Sequence, residues 1–312
     1  MDQHFLQSEA WRRFEEGLGK TVFEESGAGW SFMAIREQTP FGKYLYLPYG
    51  PTFTDQQSFL EALNALRKLA VAQGAVFVRI EPTGGIDGAS LSQLGFRRIK
   101  EVNPEHTWVL DLTQSPAEIL SGMKQNNRNL YNNYSKKGLS VHNTTDPSKI
   151  TYLTSLLADV STHNRFSTHS EGYLRKQMTE AGALLYYVTI NEPDQESSVI
   201  AAALVYDSGT TRYYAHAAAD YEHRKLSAGT VLVAQMIMDA QAKGLTTFDF
   251  YGITTSDDSE HPWYGFTKFK RSFGGRLVTY CGTWDLPVKK AQYQVFTQVR
   301  AANRRVRALL SR

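Results

Sequence analysis

Hydrophobic and polar positions alternate along two separate stretches of the chain, and each stretch continues in the same way. In the first, the alternation over WSFMAIRE (30–37) and KYLYLPYG (43–50) predicts two strands. Apolar residues at helical spacing then predict a helix over 55–73, which Gly74 ends, and AVFVRIEP (75–82) has the pattern of a third strand. The predicted order is therefore strand, strand, helix, strand.

The second stretch repeats this order. It consists of the predicted strands VIAAALVYD (199–207) and TRYYAHAA (211–218), a predicted helix (227–243) and the predicted strand LTTFDFYG (245–252). Adding 170 to a residue number of the first stretch gives the corresponding position in the second, so that Tyr44 falls on Tyr214 and Gly74 on Gly244. Spacing and element type thus indicate an internal duplication, and they predict a mixed α/β protein of two similar domains.

The boundary between the two predicted domains falls near residue 145. A predicted helix over 116–137 and the predicted strand LSVHN (139–143) precede it, so domain 1 covers 1–145 and domain 2 covers 146–285. The remaining segment, 286–312, contains a predicted helix that could cap either domain, including by packing back on domain 1. Apolar residues recur along it at helical spacing: Val288, Val295, Val299, Val306 and Leu310.

The composition is that of an ordinary globular protein and narrows the possible classes. Of the 312 residues, 42% are hydrophobic and 21% are charged, and no run approaches the length of apolar chain that spans a membrane. The first residues, MDQHFLQSEAW, lack the cationic and apolar regions of a signal peptide. A single cysteine, Cys281, excludes an intramolecular disulfide and makes a zinc cluster implausible. We therefore expect a cytoplasmic protein without a bound metal.

The net charge is only +3, but the basic residues are concentrated in three segments that contain no acid. These segments are 119–145, with Lys124, Arg128, Lys136 and Lys137; 261–284, with four cations; and 288–312, with seven cations. Such blocks favour partners that carry phosphate groups, in a salt-dependent way. Each block could equally be a solvated helix face.

Several motifs together resemble one family. The segment FDFYGI (248–253) followed by FKRSFGG (269–275) is similar to the signature of the FemABX peptidyltransferases, which build the interpeptide bridges of peptidoglycan. Further stretches agree in the same order along the chain: FLQSEAW (5–11), LYLPYGP (45–51), VRIEP (78–82) and MKQNNRNLYNNYSKKGLSV (123–141). Residues 166–200 and 220–245 leave no room for the long coiled-coil insertion of some members, so the chain resembles the shorter, coil-free type.

The resemblance implies a fold and an activity. The fold is two tandem GNAT-like domains, which agrees with the duplication. The activity is aminoacyl transfer from aminoacyl-tRNA to the stem-peptide amine of a peptidoglycan precursor, either UDP-MurNAc-pentapeptide or a lipid II-type molecule, without a cofactor. Peripheral membrane contact through a lipid-linked substrate would be compatible with it. Aminolysis of an ester requires positioning and a donor near the oxyanion, and no dedicated nucleophile.

The segment GFTKFKRSFGG (265–275) contains the leading candidate residue. The resemblance implies that Lys270 contacts the oxyanion or a phosphate, and flanking by Phe269 would partly desolvate its amine and strengthen its field. Phe269 is a candidate substrate contact. Gly274 and Gly275 would allow a sharp turn or a close approach to a ligand. The alternative is a loop whose lysine merely lies over aromatic surface.

The predicted strand 245–252 and its neighbour provide three further candidates. Tyr251 stands at the strand end, where splayed strands of a GNAT-like unit open a cleft between the domains, and its hydroxyl could bind peptide or diphosphate or assist catalysis. Asp249 shares its strand face by the period of two. His216 in the adjacent strand could carry a proton. Each could instead be a buried, hydrogen-bonded structural group.

Four substrate-binding candidates lie elsewhere. Asp111 could recognise a substrate amine or hold Arg128, and Arg128 could contact the acceptor or a tRNA phosphate. The motif stretches also make Trp11 and Tyr49 candidates. Glu15 departs from the family pattern, because it stands where a lysine is expected after Trp11.

Two rival functions remain open at this stage. The first is an acyl-CoA-dependent N-acyltransferase with two GNAT domains, for which EHRKLSAGTVL (222–232) is the nearest counterpart of a pyrophosphate loop, although it lacks tight glycine spacing. The second is a non-catalytic protein that binds cell-wall precursors.

Overall fold

The alternating stretches form strands in the computed structural model, which describes residues 3–164, 169–191 and 197–310. The strands of the described chain are β1 (Thr21–Gly27), β2 (Trp30–Thr39), β3 (Gly42–Leu47), β4 (Thr52–Phe53), β5 (Phe77–Ile80), β6 (Arg97–Arg98), β7 (His106–Asp111), β8 (Leu139–Thr144), β9 (Leu184–Ile190), β10 (Ser198–Ser208), β11 (Thr211–Ala219), β12 (Thr247–Gly252), β13 (Arg276–Thr279) and β14 (Trp284–Pro287).

Helices connect these strands. They are α1 (Glu9–Gly17), α2 (Gln56–Ala72), α3 (Gly88–Gln93), α4 (Pro116–Gly122), α5 (Gln125–Asn133), α6 (Thr151–Asn164), α7 (Glu171–Glu180), α8 (Ala228–Ala242), α9 (Tyr264–Arg271) and α10 (Lys290–Leu310). Short 3-10 helices cover Phe5–Gln7, Tyr134–Lys137, Pro147–Ile150 and Arg224–Leu226. Of the helices in these described ranges, none combines the length and the apolar character that crossing a membrane requires. Part of 166–200, where no coiled coil was expected, lies outside the described residues.

Two compact units divide the chain. One comprises Gln3–Glu105 and the segment from Tyr280 onward, and the other comprises His106–Thr279. In the first unit the sheet has the strand order β1-β2-β3-β5-β14-β6, and β4 pairs with β2. Leu45 and Val78 of this sheet form a core with Phe59 and Leu66 of α2, whose first turn is closed by a capping box at Asp55.

The second unit contains a sheet with the order β13-β7-β12-β11-β10-β9-β8. Helix α8 is apolar on most of its surface, and its buried Val231 and Ile237 share a core with Phe248 and Phe250 of β12. Burial of these side chains stabilises the unit by roughly 2 kcal/mol for each large apolar group.

The two units repeat one topology, as the duplication predicted. Strands β2 and β3 are antiparallel and β3 and β5 are parallel; likewise β10 and β11 are antiparallel and β11 and β12 are parallel. The turns that end α2 and α8 both use a glycine of positive φ, 65° at Gly74 and 84° at Gly244. The predicted mixed α/β class is therefore confirmed.

The unit limits differ from the predicted boundary near residue 145. Strand β7 pairs with β12, and β8 pairs with β9, so 106–144 belongs to the sheet of the second unit. The predicted helix over 116–137 is also interrupted: α4 ends before Met123, and α5 begins at Gln125. Strand pairing between distant segments is not visible in hydrophobic periodicity, which explains the difference.

The last helix, α10, is counted with the first unit. The ring of Tyr293 lies 5.3 Å from that of Phe77, and Tyr293 is buried. Of its predicted apolar positions, the side chains of Val306 and Leu310 lie outside the described residues.

Candidate active site

The parallel strands β11 and β12 part before they end. Their described pairing covers only Thr211–Tyr213 against Thr247–Asp249, although β11 continues to Ala219. On the other side of β12, the pairing with β7 shifts register between Asp249 and Gly252. Tyr251 lies inside this bulge with a φ of 63°, in the left-handed region that a side chain rarely adopts. Backbone strain of this kind is often found at functional sites.

Lys270 lies beside the bulge. Its position on α9 lets the amine Nζ donate a hydrogen bond of 2.6 Å to the carbonyl oxygen of Gly252. Desolvation lowers the pKa of the amine to about 8, and the charge of Asp249 opposes this shift. The amine of Lys270 is therefore held at the open end of β12, and its lowered pKa brings its titration closer to neutral pH.

Asp249 supports the bulge from within. The residue is 3% exposed, and its carboxylate accepts hydrogen bonds from the hydroxyl of Thr107 and, at 2.7 Å, from the backbone N–H of Tyr251. These bonds hold Tyr251 in its strained conformation. The structure thus brings Asp249, Tyr251 and Lys270 together, as the sequence predicted for their neighbourhood, whereas their roles stay predictions.

Helix α7 adds side chains that the sequence did not indicate. Burial raises the pKa of Tyr206 well above its usual value, and the nearby phenols of Tyr173 and Tyr251 act in the same direction. The hydroxyl of Tyr206 donates a 2.6 Å hydrogen bond to Oε1 of Gln177, which is buried. No motif in the sequence marked Tyr173 or Gln177, because their proximity to Tyr206 arises from contacts between distant segments.

His216 stands on β11, beyond the point where it parts from β12. Desolvation, with a smaller effect from His169, lowers the pKa of its imidazole to about 4, so the ring is neutral at physiological pH. The rings of His216 and His169 are nearly perpendicular, with centroids 5.4 Å apart, and His169 stacks on Tyr173. A neutral imidazole can accept a hydrogen bond here; its role as a proton carrier stays a prediction.

The segment around Lys270 is a helix rather than a loop. Phe273 is buried against Phe250, with ring centroids 5.7 Å apart, and Phe269 packs edge-on against Phe273 at 5.2 Å. Phe266 is different, because 61% of its surface is exposed. Phe269 and Phe273 therefore anchor α9 and fix where Lys270 points.

The two glycines that follow α9 lie close to the backbone of other segments. This close packing explains both glycines without a ligand. A Cβ atom on Gly275 would lie 2.5 Å from the carbonyl oxygen of Val109, and one on Gly274 would lie 3.0 Å from that of Gly122. Nε1 of Trp108 also donates a 2.6 Å hydrogen bond to the carbonyl of Gly274. Both glycines have positive φ, which suits the turn into β13.

Asp111 and Arg128 make their hydrogen bonds with residues outside this cluster. Asp111 ends β7 and accepts from the N–H and hydroxyl of Thr113 at 2.9 and 2.7 Å. Four residues of strand, about 14 Å, separate it from Thr107. Arg128 donates to the carbonyls of Ser121 and Met123 at 2.8 and 2.6 Å. It therefore stabilises the end of α4, and the idea that Asp111 holds it is wrong.

Trp11 and Tyr49 belong to the first unit. Trp11 is buried, and its Nε1 donates a 3.0 Å hydrogen bond to Glu15, whose carboxylate pairs with Lys20 at 3.0 Å. The hydroxyl of Tyr49 donates to the carbonyl of Pro104 at 2.9 Å. Glu15 thus has a structural role at the position where the family pattern has a lysine, and substrate binding by Trp11 and Tyr49 stays a prediction.

Two further features concern cofactors. In the described ranges, no group of three or more His, Cys, Asp or Glu residues is arranged to hold a metal ion. In the segment 222–232, Arg224 donates to the carbonyl of Tyr221 at 3.0 Å and covers its ring at 4.2 Å. The guanidinium that this segment could offer to a pyrophosphate is therefore engaged within its own loop.

Comparisons with known proteins agree with the motifs. Residues 187–301, which include Tyr251 and Lys270, match the model of the FemAB family. The lipid II:glycine glycyltransferase of Staphylococcus haemolyticus is 23% identical over 338 residues, covering 83% of this chain and 80% of that protein. The crystal structure of FemX superposes with a TM-score of 0.84 at 17% identity, over 94% of each chain.

The fold is also shared outside that group. A tandem GNAT protein from the clavulanic acid biosynthesis pathway has a TM-score of 0.51 at 13% identity, over 86% of this chain and 83% of that one. The predicted tandem GNAT-like fold is confirmed. The chain therefore matches the FemAB family over residues 187–301, and its distant similarity to the staphylococcal glycyltransferase extends over most of its length.

Proposed function

We propose that the protein is an aminoacyltransferase that moves an amino acid from aminoacyl-tRNA to the stem-peptide amine of a peptidoglycan precursor. The observation that carries the proposal is the amine of Lys270, held 2.6 Å from the Gly252 carbonyl at the open end of β12, within the segment that matches the family. The staphylococcal relative is a lipid II:glycine glycyltransferase, which supports an aminoacyl donor and a precursor as acceptor.

The proposed chemistry is aminolysis of an ester. The acceptor nitrogen forms a bond to the ester carbonyl carbon, the bond from that carbon to the ribose 3′-oxygen breaks, and the proton lost by the amine ends on that oxygen. Negative charge develops on the carbonyl oxygen in between. Protonated Lys270 would donate to this oxyanion, turning from the Gly252 carbonyl, and its partly desolvated position strengthens the interaction.

Tyr251 and His216 would complete the site. A phenol and a neutral imidazole at the parted strands are suited to orient the aminoacyl ester and the attacking amine by hydrogen bonds. Phe269 would act indirectly, by fixing α9. Asp249 would hold the bulge and keep Lys270 charged.

The partners follow from the same reaction. The exposed cations Lys124, Lys136 and Lys137 are available for tRNA phosphates, and binding should weaken as salt increases. The acceptor would be UDP-MurNAc-pentapeptide or a lipid II-type molecule, and both precursors place the reaction in the cytoplasm. No cofactor enters this scheme.

The test compares two lysines of one helix. Lys270→Met and Lys268→Met both remove a charge from α9, but Lys268 is exposed to solvent. With charged tRNA and either precursor, we expect the wild type and Lys268→Met to add the mass of one amino acid to the acceptor. We expect Lys270→Met to be slower by about 10²–10³-fold, as for loss of an oxyanion donor.

The same assay separates the rival functions. An acetyl increment with acetyl-CoA, and none with any charged tRNA, would identify an N-acetyltransferase and refute the proposal. Precursor binding without turnover under all conditions would identify a binding protein.

A further inference from the structure

Two cavities lie outside the candidate site, one of about 750 Å³ in the second unit and one of about 680 Å³ in the first. The second of these lies among the end of α2, the segment Ser92–Arg97 and the start of α10. Nothing in the proposed aminoacyl transfer uses it. We name it the α2–α10 cavity.

Three cations surround the α2–α10 cavity. Arg67, Arg97 and Lys290 all line it and are exposed, and none of its described lining residues is acidic. The described ion pairs of the chain include none of the three. Their positive charge is therefore uncompensated at one place on the surface, which favours an anion.

Two of these cations are already oriented. Nη2 of Arg67 donates a 3.1 Å hydrogen bond to the carbonyl of Leu94, and the guanidinium of Arg97 lies 5.5 Å from the ring centroid of Tyr293. Each contact leaves other N–H donors of the guanidinium available, and a planar fork of donors matches phosphate oxygens. Little side-chain entropy would be lost when they bind.

The walls between these cations are apolar. Phe96 and Leu286 form buried parts of the lining, and Val71 at the end of α2 is 69% exposed. Val71 therefore offers apolar surface beside the cationic rim, which suits the boundary where headgroups meet acyl chains. A polynucleotide would use the charges, but it would leave this apolar surface without a partner.

We propose that the α2–α10 cavity is a docking site for the anionic phospholipid headgroups of a membrane surface. Arg67, Arg97 and Lys290 bind the phosphates, and Val71 enters the boundary between headgroups and acyl chains. The site goes beyond the proposed aminoacyl transfer and does not depend on it. It would hold the protein at the surface where a lipid-linked molecule resides.

The experiment measures co-sedimentation of the full chain with vesicles of phosphatidylglycerol and phosphatidylcholine, and with vesicles of phosphatidylcholine alone. The wild type is expected to bind only the anionic vesicles. Arg67→Glu/Arg97→Glu should bind them about 25-fold more weakly or worse, since one cation near an anionic surface contributes about a fivefold change. Val71→Ser should weaken binding by a smaller factor.

Lys136→Glu/Lys137→Glu is the matched control, because it changes the net charge equally at exposed positions of another basic segment and should bind the vesicles normally. Equal loss in both double variants, or no binding to anionic vesicles, would refute the docking site. The docking site would also be refuted if Arg67→Glu/Arg97→Glu lost tRNA binding but kept vesicle binding, or if inorganic phosphate displaced the wild type from the vesicles.

Two further measurements keep the test decisive. If Arg67→Glu/Arg97→Glu does not fold, Arg67→Gln/Arg97→Gln takes its place in the experiment. Circular dichroism verifies that each of these two double variants is folded. Transfer to the soluble, UDP-linked acceptor should be unchanged in either variant, so failure of the docking site and failure of the proposed activity give different results.

Discussion

At the scale of single residues, the charge of Lys270 should control the pH dependence of transfer. Its amine has a pKa of about 8, well below the usual value for lysine, because the site desolvates it. The protonated form stabilises the proposed oxyanion, so this contribution is complete well below pH 8 and is lost as the pH rises through that value. Single-turnover rates, corrected for spontaneous ester hydrolysis, should therefore fall on the alkaline side. A rate that keeps rising well above pH 8 would contradict the assignment.

A substitution of Asp249 provides a second test of the role of the Lys270 amine. Its negative charge raises the pKa of Lys270 against the effect of desolvation. Asp249→Asn retains an oxygen for the hydroxyl of Thr107 and the N–H of Tyr251 but removes the charge, so the alkaline limb should move to lower pH. The titration of the acceptor amine affects the pH–rate profiles of the wild type and of Asp249→Asn equally, so the difference between the two profiles reports on Lys270. A uniform loss of rate without a shift would mean that Asp249 acts only on the backbone.

At the scale of elements, the turn between α9 and β13 should tolerate no side chain. Gly275 has a φ of 98°, and an added Cβ would lie 2.5 Å from the carbonyl oxygen of Val109. We expect Gly275→Ala to lower the free energy of unfolding by about 2 kcal/mol or more. Denaturant titration measures this change.

Gly265→Ala is the control for that substitution. Gly265 lies in the first turn of α9, and no atom stands within 4 Å of the Cβ it would gain. Because alanine favours helix over glycine, stability should rise by about 0.5 kcal/mol. Equal effects of the two substitutions would show that the close approach to β7 is unimportant.

The elements also show what periodicity can and cannot predict. Local alternation predicted β2, β3, β10, β11 and β12, because side chains on a half-buried strand follow a period of two. It could not predict the bulge at Tyr251, whose positive φ depends on hydrogen bonds to Asp249. Nor could it predict that Gln177 meets Tyr206 across 29 positions of sequence. The candidate residues Asp249, Tyr251 and Lys270 lie in stretches that resemble the family motifs. Arg128 lies in another such stretch and Asp111 in none, and both make their hydrogen bonds with other residues.

At the scale of the whole molecule, the second unit is inserted into the chain of the first. The backbone N–H of Tyr280 donates to the carbonyl of Glu105 at 2.8 Å, so the two chain segments of the first unit are hydrogen-bonded to each other where the second unit begins and ends in the sequence. His106 and Thr279, the ends of the second unit, are register partners in β7 and β13. Each sheet therefore receives a strand from a distant part of the sequence: β14 beside β5, and β7 beside β12. A boundary placed by hydrophobic pattern alone misses this, since β7 and β12 are more than a hundred residues apart.

This connectivity predicts which fragment of the chain folds. Residues 106–279 contain every strand of the second sheet, including β7 between β13 and β12, and should show one cooperative thermal transition. Residues 146–285 correspond to the domain expected from the sequence, but they lack β7 and β8. Without β7, the edge of β12 loses its partner strand and the core loses Leu110, so this fragment should remain unfolded or aggregate. Circular dichroism and a proton NMR spectrum of each fragment measure the difference. A folded 146–285 fragment would show that β7 is dispensable, and would favour the boundary near residue 145.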